Sequence, residues 1–206
     1  MARRRGLFIV LEGPDKSGKS TQARLLAAAL RARGLAVLHT REPGGTSVAE
    51  GVRAVLLNPR LTIDPVAELF LYEASRAQHV AEKIRPALAR GEAVLCERFT
   101  MSSEVYQGLA RGLGLATAKK LNGVATGGLK PDLTIVLDIP VEQFDSRDKH
   151  RKLDRLEREH VSFRVAVRKG YRELAKSQRK TVLVDGTENA ERVHRLILEK
   201  VERLLR

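Results

Sequence analysis

A chain of 206 residues, 43% hydrophobic and 31% charged, is long enough to bury a core without disulfides or metals, and no apolar run approaches the ~20 residues of a membrane-spanning helix. The net charge of +13 draws phosphate, whether polymeric or small. Its basic residues lie beside acids, as in Arg155-Leu156-Glu157-Arg158-Glu159, with few aromatics between them, so a small-phosphate site is expected, with neither nucleic acid nor membrane as partner.

The stretch Met1 to Arg5 is basic, but the apolar run Leu7 to Leu11 is too short for a signal peptide and leads straight into a glycine-rich loop. Short runs containing β-branched residues at Leu7 to Leu11, Ala36 to Leu38, Ala93 to Cys96, Leu133 to Leu137 and Thr181 to Val184 predict strands. Between them, helical periodicity predicts Lys19 to Arg33, Val48 to Leu57, Pro65 to Arg90, Ser102 to Ala110, Ala116 to Ala125, Glu157 to Ser177 and Asn189 to Leu205. Gly34 and Gly91 close two of these helices. This alternation predicts an α/β fold, a parallel sheet with helices on both faces. With no repeat and no Pro/Ser-rich linker, one domain over residues 1–206 is expected. The charged stretch Asp145 to Arg155 reads as a loop, either over a site or simply exposed. Cys96, the single cysteine, sits in a strand run, which suggests a buried thiol and a reducing, cytoplasmic setting.

Gly13-Pro14-Asp15-Lys16-Ser17-Gly18-Lys19-Ser20 satisfies G-x-x-x-x-G-K-[ST], between a strand and a helix as that motif requires. Residues Gly13 through Thr21 would cradle the phosphates of ATP, mainly with the backbone N–H groups that all but Pro14 carry, with Lys19 on the β/γ oxygens and Ser20 available to Mg²⁺. Spacing alone leaves Asp15 and Lys16 open between a role and a solvated loop. A phosphate loop specifies a nucleoside triphosphate and leaves the acceptor undefined.

Seven blocks bear on the acceptor: Phe8 to Gly13 with the loop; Thr40-Arg41-Glu42-Pro43-Gly44-Gly45-Thr46; Arg76 to Glu82 with Pro86-Ala87-Leu88; Glu97-Arg98-Phe99; Ser102 to Gly108; Gly127 to Thr134; and Asp154-Arg155-Leu156-Glu157. In these blocks, and in their order, the chain resembles the thymidylate kinase family over nearly its whole length. The resemblance implies a three-layer P-loop NTPase fold with five parallel strands in the order 2-3-1-4-5. It also implies Mg²⁺-dependent transfer of the γ-phosphoryl group of ATP to dTMP, giving dTDP, by a homodimer.

It further implies a role for particular residues. Arg98 would bind the acceptor phosphate, a task that suits a guanidinium fork, and Asp15 would lie beside the acceptor's sugar and phosphate. Arg41 and Pro43 would shape the pocket. Tyr72 would stack on the base, Arg76 would meet the thymine edge, and Ser103, Tyr106 and Gln107 would line the base and sugar, with Tyr106 disfavouring a ribose. Residues 145–155 correspond to a lid that excludes water, in which Arg147 and Arg151 are the expected catalytic phosphate contacts beside Lys19, Arg98 and Asp15, with Arg155 as a third candidate. Glu97 joins Ser20 as the expected metal carboxylate.

Departures accompany the resemblance. Glu97-Arg98-Phe99 stands where the family usually has Asp-Arg-Tyr, which moves the carboxylate one methylene outward and removes a hydroxyl. Basic residues are available in both the phosphate loop, at Lys16, and the lid. Phe144-Asp145-Ser146 replaces smaller or apolar residues. The rival readings are a kinase of another monophosphate or of a nucleoside, and a nucleotide-binding protein without turnover.

Overall fold

The five strand runs pair as expected. In the computed structural model, which describes residues 5–147 and 152–205, β1 (Phe8–Glu12), β2 (Val37–Arg41), β3 (Ala93–Glu97), β4 (Leu133–Asp138) and β5 (Thr181–Asp185) form a parallel sheet in the order β2-β3-β1-β4-β5. Each strand runs past its apolar run to a polar or charged residue, because the parallel ladder carries Arg41 alongside Glu97 and Asp138 alongside Asp185. Carboxylates and arginines thus arrive together at one end of the sheet.

Alternation along β1 divides the core. Ile9 and Leu11 face α1 (Lys19–Ala32), through Leu26 and Leu30, and α9 (Ala190–Leu205), through Val193, Ile197 and Val201. Phe8 and Val10 face the opposite layer, where Val80, Ile84 and Leu88 pack. On that side Val136 also packs with Val105 and with Val167, Tyr171 and Leu174 of α8 (Val161–Ser177).

Three expected helices are built differently. The stretch from Pro65 is not one regular helix: α3 (Pro65–His79) passes through a π-helical turn at Val80–Ile84 into α4 (Arg85–Ala89). Pro86 has no N–H to continue the ladder, and the wider turn, with Arg85 N–H donating to Val80 O, takes up the mismatch. The second helix starts earlier, as α5 (Thr100–Ser103), and widens over Glu104–Ala110 so that Arg111 N–H reaches Tyr106 O at 2.9 Å. The third begins at Val161, with residues 155–158 in a separate turn. There Asp154 Oδ1 accepts from the N–H groups of Leu156 and Glu157, and the His160 side chain caps α8.

The other elements match their signals. Thr46 caps α2 (Ser47–Leu57) and Asp64 caps α3 ahead of Pro65, while α6 (Leu115–Thr126) ends at Gly127 in the left-handed conformation. A one-turn helix, α7 (Gln143–Ser146), opens the stretch expected to be loop. Among the described residues no helix is long and apolar enough to cross a membrane.

Asp138, closing β4, fastens α8 to the sheet by accepting from Arg168 Nε at 2.8 Å and from Arg172 Nη1 at 2.5 Å. Burial raises its carboxyl pKa, but the hydrogen bonds and charges of Arg168 and Arg172 outweigh that and hold it below the ordinary 3.8. Asp138→Asn is expected to cost on the order of 1 kcal/mol, since Arg172 is largely exposed. A lowered carboxyl pKa contributes stability above its unfolded value and loses it as pH falls through the folded value. In urea titrations the difference between wild type and variant should therefore be full at neutral pH and close as the pH drops below the ordinary aspartate range.

Candidate active-site cleft

The carboxyl ends of β1 and β3, where open parallel sheets bind ligands, open into a cleft of ≈ 500 Å³. The loop after β1 forms one wall. At Gly13 φ is 134°, and a Cβ there would lie 2.4 Å from Leu137 O, so only glycine permits the turn. Gly18 takes the left-handed conformation as N-cap of α1, whose first N–H groups face the cleft. Lys19 Nζ donates to Gly13 O at 3.0 Å and to Pro14 O at 2.6 Å. Burial and the neighbouring Arg98 charge lower the Lys19 pKa to about 7, partly opposed by Asp15, Glu12 and Glu97. Asp15 through Thr21 line the cleft, whereas Gly13 and Pro14 serve it through those carbonyls.

Arg98, directly after β3, occupies the centre. Its backbone is left-handed at φ 67° and its N–H donates to Leu11 O at 2.8 Å. Its guanidinium pairs with Asp15 and donates to Gly13 O, Ser102 Oγ and Tyr171 Oη at 3.1, 3.2 and 3.0 Å. Tyr106 Oη donates to the other Asp15 oxygen at 2.8 Å, so Asp15 bridges Arg98 and Tyr106. Burial works against ionising Asp15, but the Arg98 and Lys19 charges and the Tyr106 hydroxyl hold its carboxyl below the ordinary value.

Of the residues singled out in the sequence, Arg41, Pro43, Tyr72, Ser103, Tyr106 and Gln107 line the cleft together. Arg76 does not line it. The side chain is 1% exposed behind Glu42 and Ser103, donating to Glu42 Oε2 at 2.8 Å, Glu73 Oε1 at 2.6 Å, Ser103 Oγ at 2.9 Å, Asn122 Oδ1 at 2.6 Å and Phe99 O at 3.0 Å. Two buried carboxylates demand that counter-charge, and their pull keeps Arg76 ionised against its own burial.

Several contributors escaped the sequence reading. Arg53 lines the cleft and donates to Pro43 O at 2.8 Å, having returned over the Pro43 turn on α2, and no motif spacing marks it. Tyr171 and Ser102 hold Arg98, and Asp154, Leu156 and Glu157 close the cleft. Arg155 faces away, its Nε donating to Leu56 O at 2.8 Å and its guanidinium 2.6 Å from the fully buried Glu68. Arg147 lines the cleft and bridges the phosphate loop to the loop after β5, donating to Lys16 O at 3.4 Å and to Gly186 O at 2.9 Å. Arg151 lies outside the described residues. Phe144 is buried between two cations, with Lys16 Nζ and the Arg164 guanidinium each 4.5 Å from its ring centroid.

Glu97 lines the cleft beside Ser20, whose Oγ donates to one of its carboxylate oxygens at 2.5 Å, while His39 Nε2 lies 2.9 Å from the other. Burial is overcome there by the His39 and Ser20 hydrogen bonds and the Lys19 charge, so Glu97 stays ionised below the ordinary carboxylate range. A hydroxyl and a carboxylate at the mouth of a phosphate loop are hard oxygen donors that fit Mg²⁺.

The family model described as Thymidylate kinase matches residues 11–197. The thymidylate kinase of Caldanaerobacter subterraneus subsp. tengcongensis is 47% identical over 203 residues, covering 98% of either chain. That of Deinococcus radiodurans is 48% identical over 180 residues, 87% of either chain. That of Pseudomonas syringae pv. syringae is 53% identical over 175 residues, 84% of this chain and 83% of its own.

The burial of Arg76 makes a prediction about stability. Arg76→Met would strand Glu73 and leave Glu42 only the His79 ring, 3.0 Å from its Oε1, and should cost ~3–5 kcal/mol in chemical denaturation. A change below about 0.5 kcal/mol, the range of ordinary surface substitutions, would mean that the cluster does not depend on that charge.

Proposed function

The chain belongs to the thymidylate kinase family, and from that premise we propose how its cleft phosphorylates dTMP to dTDP with ATP as donor. What supports the reading is the placement of a phosphate loop and a partly buried arginine at the ends of two neighbouring central strands, joined across the cleft by Asp15. Residues 13–21 would hold the donor phosphates and Arg98 the acceptor phosphate, which sets the two in line. An acceptor phosphate oxygen attacks the γ-phosphorus, the bond to the β–γ bridging oxygen breaks, and ADP leaves with that electron pair. No covalent enzyme intermediate is needed, because the work is positioning and charge neutralisation.

Lys19, Arg98 and, from the donor side, Arg147 supply the positive charge, with Arg151 assigned alongside them. Lys16, steadied on Phe144, is a further cation at the loop. Ser20 and Glu97 would hold Mg²⁺, which when bound offsets the charge of the β- and γ-phosphates. Tyr72 would cover the base, Ser103, Tyr106 and Gln107 would line base and sugar, and Arg76 would act on the base side as the backing that fixes Ser103 and Glu42. Arg41 and Pro43 complete the acceptor wall. Residues 145–155 would form the lid, its base anchored where Arg155 meets Glu68.

The further assignments rest on surface and thiol. Val66 and Phe70, one helical turn apart on α3, are 49% and 55% exposed, and Val48 and Val55 are exposed on the adjoining α2, an apolar face suited to a second copy of the chain. The free, buried Cys96 suits a reducing cytoplasm. We treat residues 1–206 as one kinase domain, with nucleotides rather than nucleic acid or membrane as partners.

A coupled ADP-release assay with ATP and Mg²⁺ tests the reading on dTMP, dUMP, UMP, dCMP and thymidine. Turnover should be highest on dTMP, and Arg98→Ala should lower kcat/KM by ~10²-fold or more, the scale of losing a positioned charge. ATP binding without turnover on any acceptor would overturn it in favour of a binding protein.

A further inference from the structure

Glu12 closes the central strand β1, is fully buried, and has no part in the scheme above. Burial raises its carboxyl pKa, against hydrogen bonds from Ser102, Phe99 and Tyr171 and the charge of Arg98. All four donors come from the surroundings of one residue. Oε1 accepts from Phe99 N–H at 2.7 Å and Ser102 N–H at 3.2 Å, and Oε2 accepts from Ser102 Oγ at 2.6 Å and Tyr171 Oη at 3.0 Å. Phe99 N–H follows Arg98 directly, and Arg98 holds a left-handed backbone that a side chain adopts only where its neighbours enforce it. Tyr171 reaches this point because Gly170 lets α8 approach closely, a Cβ there falling 3.2 Å from Val105 Cγ1.

The hydroxyls carry the argument further. Four donors and the Arg98 charge favour the ionised form of this carboxylate, which only accepts hydrogen bonds. Ser102 Oγ and Tyr171 Oη also lie 2.9 Å from each other, so their two protons are shared among that contact and the two to Glu12, and in each arrangement they point away from Arg98, from whose Nη1 both oxygens accept, at 3.2 and 3.0 Å. We propose that Glu12 is a positioning residue for Arg98, fixing both its backbone turn and the polarity of the hydroxyl pair on which its guanidinium rests. Given the reading of Arg98 as the acceptor-phosphate contact, on which this inference rests, Glu12 acts chiefly on dTMP, its charge weighing less on Lys19 than burial, Arg98 or Asp15 do.

Glu12→Gln keeps the shape and the Oε1 acceptor, but its amide donates where Oε2 accepted. The two hydroxyls then turn protons toward Arg98 and push it off its seat. In the full chain, folded by circular dichroism, the variant should lose ~10²-fold in kcat/KM for dTMP, the scale of a ~1 Å misplacement, with KM for ATP within about twofold. On the Arg98→Ala background the same change should cost less than about threefold, since residues acting as a unit are not additive. Equal losses toward both substrates, or a full additional loss on Arg98→Ala, would reduce Glu12 to a structural role and overturn the proposal. Should Glu12→Gln fail to fold, Tyr171→Phe with Ser102→Ala removes the relay and must show the same dTMP-selective, non-additive loss. If Arg98→Ala itself keeps full turnover on dTMP, the reading of Arg98 fails first. If it loses turnover while Glu12→Gln and the relay variant do not, only the present inference fails.

Discussion

The ion pair between Arg98 and Asp15 is the contact around which the cleft is organised, because a guanidinium taken out of water is tolerable only when a carboxylate goes with it. An enzyme that gathers two phosphorylated nucleotides needs cations in and around its cleft, and those buried in it or packed behind it carry counter-groups. Arg98 has Asp15, Arg76 has Glu42 and Glu73, Arg155 and Arg111 share Glu68, and Lys19 rests on the carbonyls of Gly13 and Pro14. The large positive charge of the chain is therefore held mostly on the surface, while the cleft is close to neutral. Phosphate binding then becomes an exchange of partners rather than the quenching of naked charge.

That pairing explains which parts of the molecule were legible in advance. The sheet was, since apolar runs such as Phe8-Ile9-Val10-Leu11 admit few placements other than a central strand buried on both faces. The phosphate loop was too, because Gly13 and Gly18 occupy backbone conformations that the motif demands. The helix beginning at Pro65 was misjudged in detail. Periodicity continues through Val80 to Ile84, and the consequence of Pro86 just beyond is a local widening that no hydrophobic pattern records. Arg76 and Arg155 were placed at the site by their motifs alone. Glu73 stands one helical turn from Arg76, but the pairing with Glu42 and Glu68, across 34 and 87 residues, leaves no local trace. Glu12 did leave one: a carboxylate ending an apolar strand is a charge that must find partners.

Glu97 shows how a departure from a pattern can be absorbed. The added methylene separates its carboxylate from the strand, yet the side chain is held at both oxygens, by Ser20 on one and by the His39 ring on the other. His39 lies on β2, whose register sets it beside Leu95, two residues before Glu97 and on the same side of the sheet. A side chain restrained at both ends has fewer rotamers to lose when its donors are used, so the longer arm need not be the looser one. Whether a carboxylate is one methylene longer matters less to the site than whether its oxygens are fixed.

The same reasoning separates two kinds of helix around the cleft. α1 contributes its N-terminus and needs a regular ladder to aim its N–H groups, which Gly18 and the buried stripe of Ala23, Leu26, Ala27 and Leu30 secure. The segment after Arg98 contributes side chains instead, and its turn from Glu104 to Ala110 is widened. A π-turn spreads successive side chains over a larger arc, so Ser103 can face Arg76 while Tyr106 faces Asp15 and Gln107 reaches Glu68. A regular α-helix would set Ser103 and Tyr106 nearly in line, three residues apart, and could not divide them so readily between Arg76 and Asp15. The irregular backbone is in this sense what lets one short segment reach Arg76, Asp15 and Glu68 at once.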